Sequence, residues 1–139
     1  MTTTTSTPPA PSAVAEAPTF REKANALATR TAAYAKAIRL FSADVPKTLA
    51  TVDDLKQLIR ASGSVGANYL EADEAMSKRD FIKCMKICRK EARECMFWLR
   101  QLDPALPEEL KDECRKLGNE AYALLRIFTA SIGTATENI

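Results

Sequence analysis

Residues 58–102 read LIRASGSVGANYLEADEAMSKRDFIKCMKICRKEARECMFWLRQL, and they join two helices with unlike surfaces. In the first helix Leu55, Leu58, Ile59, Ser62, Val65, Gly66, Tyr69 and Leu70 recur at helical spacing and mark one apolar face. The opposite face, Arg60, Ser64, Ala67, Asn68, Glu71 and Ala75, is mostly small. A solvated helix face ordinarily carries long charged side chains, whereas short ones let another backbone come close. This face is therefore expected to be a second contact surface, within a bundle or between subunits.

The second helix is expected from Ser77, whose Ser77-Lys-Arg-Asp80 start is a capping sequence, to about Leu102, where Asp103-Pro104 stops it. At about 100° per residue, Arg79, Lys83, Lys86, Lys90, Arg93 and Arg100 fall on one side. Phe81, Met85, Cys88, Ala92, Cys95 and Leu99 lie opposite, and Ile87 and Trp98 widen the apolar arc. Glu91 sits inside that arc, beside Cys84, Cys95 and Trp98. A carboxylate there needs a partner or a raised pKa. Asn68, Arg60, Arg89 and Arg93 are the candidate partners. No nucleophile or metal ligand accompanies Glu91, so it reads as a polar clamp fixing helix register rather than a catalytic acid. Glu71, Asp73 and Glu74 end the preceding helix, where its dipole disfavours them, and are expected to meet Lys78 and Arg79.

Outward from this stretch the same period continues. Phe20, Ala24, Leu27, Thr31, Tyr34, Ile38 and Phe41 predict a helix from about Thr19 to Ala43, ended by a break around Pro46. Thr51-Val-Asp-Asp54 is a capping-box-like start for the next helix. Pro107, Glu108 and Glu109 open a last one, with Leu106, Leu110, Leu117, Ala121, Leu124, Phe128 and Ser131 on its seam and fraying after Gly133. The fold class is all-α: an antiparallel up-down four-helix bundle over residues 19–134, with 135–139 frayed. Residues 1–18, rich in Thr, Pro and Ala, read as a disordered tail.

Composition narrows function more by exclusion. The chain has no histidine, which removes the commonest general base and metal ligand together. Cys84, Cys88, Cys95 and Cys114 form no Cys-x-x-Cys pair and are expected in the core. Neither an enzyme, nor a metal, nor a cofactor is expected. No signal peptide and no transmembrane run is present, so a cytoplasmic protein without a membrane partner is expected. With 20 basic and 18 acidic residues the net charge is +2, so any nucleic-acid footprint must come from local clustering. The Arg79–Arg100 stripe supplies it. Either it contacts phosphates of RNA or DNA, or it is a solvated face, or it pairs with acidic residues of another subunit.

The segment from Arg60 to Glu71, RASGSVGANYLE, resembles the hallmark of a bacterial four-helix-bundle family, the 23S rRNA intervening-sequence proteins. So do the Ser77, Lys78, Asp80, Phe81 start, the run Ile87-Cys88-Arg89-Lys90-Glu91-Ala92-Arg93-Glu94, and Trp98-Leu99-Arg100. The resemblance covers most of residues 20–130. It implies a ring-like homopentamer with RNA association, and makes Asn68, Glu71 and Glu91 part of a structural polar signature. Relatives of that family, the accessory variability determinants of diversity-generating retroelements, bind nucleic acid and a reverse transcriptase. The alternative expectation is a protein-interaction scaffold, for example a reverse-transcriptase accessory subunit, whose stripe pairs with acidic side chains across a subunit interface and does not bind nucleic acid directly.

Overall fold

The computed structural model describes residues 7–8 and 16–138. The tail expected over residues 1–18 falls largely outside the described residues. Among the described residues all regular structure is helical: α1 (Phe20–Asp44), α2 (Val52–Asp73), α3 (Lys78–Leu102) and α4 (Glu108–Glu137), with a short 3-10 turn at Asp103–Ala105. Among the described residues no helix is long and apolar enough to cross a membrane.

Local sequence sets most of the boundaries. Thr19 caps α1 by accepting from the Glu22 N–H, while the Glu22 carboxylate accepts from the Thr19 N–H. This reciprocal box satisfies two otherwise orphaned donors. Ser77 caps α3 through the Asp80 N–H, as its sequence predicts. Thr51 departs from expectation: it makes no side-chain cap to α2. Its backbone is already helical there, whereas a capping side chain needs an extended residue. The buried Thr51 hydroxyl instead donates to the Pro46 carbonyl at 2.7 Å and accepts from the Thr48 N–H at 2.9 Å, tying the α1–α2 loop to itself. α4 continues past Gly133, where fraying was expected. Ile132 is buried, and the Thr134 and Thr136 hydroxyls bond back to the Ala130 and Ile132 carbonyls.

Specific contacts fix the antiparallel order. The Tyr69 hydroxyl, near the end of α2, donates to the Ala24 carbonyl near the start of α1, and Arg21 pairs with Asp73 beside it. Along α1 and α4, Arg30 meets Glu120 and the Tyr34 hydroxyl donates to the Leu117 carbonyl, so one helix ascends as the other descends. Lys78 at the start of α3 donates to the Asn138 carbonyl at the end of α4. At Gly66 the α1–α2 approach is tight enough that a Cβ would stand 3.3 Å from the Thr31 hydroxyl.

Tyr34, Ile38, Leu58, Val65, Met85, Leu99, Leu124 and Phe128 meet in one core shared by all four helices. Phe20, Leu70 and Ile87, all expected on apolar faces, are outside it, Ile87 only half-buried. Phe20 begins α1 and is 75% exposed, and Leu70 is 57% exposed. Leu70 lies about 100° around α2 from buried Tyr69, beyond the arc the bundle covers.

Cys88, Cys95 and Cys114 are buried free thiols and Cys84 is half-buried. Burial pushes Cys88 and Cys95 up to about 12 and Cys114 up to about 11. The thiolate is the reactive form, so at about pH 8 an alkylating reagent is expected to add to the native chain no more than once, at Cys84. Intact-mass spectra before and after denaturation check this, and multiple adducts on the native chain would contradict it.

Candidate nucleic-acid interface

The core side of α3 determines what its outer side can do. Met85, Cys88, Ala92, Cys95, Leu99 and Leu102 are buried between α2 and α4. That rotation leaves Arg79, Lys83, Lys86, Lys90, Arg93 and Arg100 exposed along the opposite side. From Arg79 to Arg93 they recur at about one helical turn, roughly 5.4 Å of rise, and Arg100 follows two turns on with Phe97 between. A shallow groove of about 710 Å³ runs beside Arg79, Asp80, Lys83, Lys86 and Lys90, floored by half-buried Ile82 and Ile87.

Among the described residues none of these six cations takes part in a salt bridge. Four arginines elsewhere are matched, Arg21 with Asp73 at 2.8 Å, Arg30 with Glu120 at 2.6 Å, Arg60 with Glu94 at 2.6 Å and Arg115 with Asp112, while Arg39, Arg89 and Arg126 form no salt bridge among the described residues. The carboxylates of Glu91 and Glu94 turn away from the stripe toward Arg60 of α2. The result is a row of positive charge that enters no salt bridge among the described residues and has one carboxylate, Asp80, among it. It suits a polyanion, because phosphate oxygens need cations but no base-reading side chains.

Of the partners open to Glu91, the geometry gives Arg60. Its Nη1 lies 3.4 Å from Glu91 Oε2, while its Nη2 holds Glu94. The Glu91 side chain is only 9% exposed. Burial, and then the neighbouring Glu94, hold the Glu91 carboxyl above the usual carboxylate range, and Arg60 opposes them. Asn68 is not a partner: its Nδ2 donates to the Ser64 carbonyl at 2.8 Å within α2. The acidic end of α2 also departs from expectation. Asp73 reaches back to Arg21 of α1 rather than forward to the start of α3, and Lys78 is taken by Asn138. Glu71 is exposed, with no salt bridge among the described residues.

The small face of α2 turns outward. Arg60, Ala67 and Glu71 are exposed, Ser64 and Asn68 half-buried, and exposed Leu70 lies next to Glu71 in sequence. Sequence reading missed Glu94, which makes the shorter of the two Arg60 contacts; its place three residues after Glu91 was the available signal. It also missed Tyr122 and Arg126 on α4, four residues apart, where the guanidinium stands 6.0 Å from the ring centroid.

The description "23S rRNA-intervening sequence protein" belongs to the family whose sequence profile matches residues 23–126. No curated protein matches the chain. A crystal structure of a protein of unknown function from the S23 ribosomal protein family of Bacteroides thetaiotaomicron is similar, with a TM-score of 0.64 and 26% identity. The similarity covers 80% of this chain and 98% of that one.

Proposed function

The chain belongs to the 23S rRNA-intervening sequence protein family, and from that premise we propose that it is a non-enzymatic, cytoplasmic, self-assembling bundle that holds RNA by its phosphates along the α3 stripe. The observation that carries this reading is the exposed row Arg79, Lys83, Lys86, Lys90, Arg93 and Arg100, none of which enters a salt bridge among the described residues. The family's printed description supports RNA as the polyanion. Binding of this kind is salt-dependent and largely indifferent to sequence.

Assembly completes the proposal. The outward small face of α2, with Leu70 exposed at its margin, supports close packing of a second bundle against it, and a closed ring satisfies such a contact on every subunit. The ring is taken to be a homopentamer. It would present the stripe once per subunit and so hold one RNA at several points.

Fluorescence anisotropy with a generic structured RNA across a salt series tests the phosphate reading. If all six cations meet phosphates, log affinity should fall against log salt with a slope of about −4 to −5. Absence of binding even at about 50 mM salt would contradict it. Assembly that responds to salt but not to RNA would favour a protein-interaction scaffold, for example one serving a reverse transcriptase.

A further inference from the structure

Beside the lower end of the stripe, α3 and α4 enclose a cleft of about 510 Å³. Arg100 belongs to both the stripe and the cleft wall, so the two surfaces are continuous. Across from it the wall is made by Arg115, Gly118, Asn119 and Tyr122 of α4. The ring of Tyr122 is 50% exposed, and Phe97, between Arg93 and Arg100 on the outer side of α3, is 48% exposed. Asp103 is the one carboxylate of the lining, against Arg100 and Arg115.

Gly118 is the informative residue. It lies in the middle of α4, where glycine weakens a helix relative to alanine. No positive φ requires it, and a Cβ placed there would meet nothing within 4 Å. The fold gives no steric reason for a glycine at this position, as it gives none at Gly133, but only Gly118 lines the cleft. What its absent side chain leaves is an open floor one helical turn from the Tyr122 ring, with the exposed Asn119 amide beside it.

An open floor at Gly118, a half-exposed aromatic residue, an amide that both donates and accepts, the unbridged Arg100 guanidinium, and Arg115, which Asp112 holds, form a receptor for a planar, hydrogen-bonding group attached to a phosphate. We infer that the α3–α4 cleft seats an unpaired nucleobase of the strand whose phosphates run along the stripe, so that the protein prefers single-stranded to duplex nucleic acid. The inference rests on the phosphate-binding reading above. A duplex keeps its base faces stacked and offers the cleft nothing, while an unpaired base can leave its neighbours and lie on Tyr122. The Arg126 guanidinium stands over the Tyr122 ring, 6.0 Å from its centroid, and adds positive charge beside the cleft.

The test compares a fluorescent single-stranded RNA oligonucleotide with the same strand annealed to its complement, at one salt concentration, on the full chain. Tyr122→Leu removes the stacking face and keeps apolar bulk. Gly118→Leu fills the cleft with a good helix former where space is free. Each variant is expected to bind the single strand about tenfold more weakly while duplex affinity stays unchanged. Gly118→Leu should at the same time melt no lower than the parent by circular dichroism, which separates blocked binding from damaged folding. Equal losses for both RNA forms, or no loss for either, would overturn the inference and leave the phosphate reading standing. A changed light-scattering mass with an unchanged preference between the RNA forms would assign the cleft to subunit contact and also overturn it. If neither RNA form binds the parent at low salt, both readings fall.

Discussion

Replacing Lys83, Lys86 and Lys90 together with Gln is expected to lower RNA affinity about 100-fold at about 0.1 M salt and to flatten the log–log salt slope by about 2. Each phosphate contact releases condensed counterions, and three lost contacts remove that share of the binding free energy. The three side chains are exposed and bridge to no carboxylate, so nothing in the bundle loses a partner when they go. Gln matches Lys closely in helix propensity. Circular dichroism and light-scattering mass should therefore be unchanged while anisotropy shows the loss. RNA affinity that survives the triple change would remove the stripe from the interface.

Arg60→Met is expected to destabilise the bundle by about 2–3 kcal/mol at neutral pH, because it strands the buried Glu91 carboxylate. The value is at the low end for breaking a buried pair, since Arg60 itself is half exposed. The companion contact to Glu94 is more exposed and contributes less. The loss should depend on pH in a definite direction. Burial already raises the folded-state pKa of Glu91, and Arg60 is what pulls it down, so its removal raises that pKa further. Between the unfolded and folded values the native state then binds more protons than the unfolded chain, and stability falls as pH rises through that window. The deficit of Arg60→Met should accordingly shrink as pH drops from neutral toward about 5. Adding Glu91→Leu to Arg60→Met should recover most of the stability, because no buried charge remains. Urea denaturation of the parent, the single and the double variant at both pH values decides it. A deficit independent of pH, or a double variant no better than the single, would show that Glu91 is not clamped by Arg60.

These residues mark how far the sequence carried and where it stopped. Periodicity gives each helix its rotation about its own axis. That was enough to put Tyr34, Ile38 and Phe41 in the core, to place the cations of α3 outside, and to flag Glu91 as a carboxylate on the wrong side. Ser77 was legible because a capping bond spans only three residues. Thr51 has the same local signature, but a loop conformation set by Pro46 and Thr48 redirected its hydroxyl. Pairings between helices depend on their relative height and spacing, which no single-helix pattern records. Arg60 was therefore one of several partners open to Glu91, and the Arg30–Glu120 pair, 90 residues apart, left no trace in the sequence. Asp73 turned to Arg21 for the same reason: the start of α1 lies beside the end of α2, closer than the charges that follow it in the chain. The cleft at Gly118 and Tyr122 was the least legible feature, since it exists only where two helices leave a gap.

The most direct test of the central claim is light-scattering mass across a salt series, with and without a generic structured RNA. The account predicts a particle several times the 15.3 kDa chain, consistent with five copies, which gains RNA mass at low salt and releases it as salt rises. A 15.3 kDa particle, or an assembly whose mass ignores RNA at every salt concentration, would contradict it.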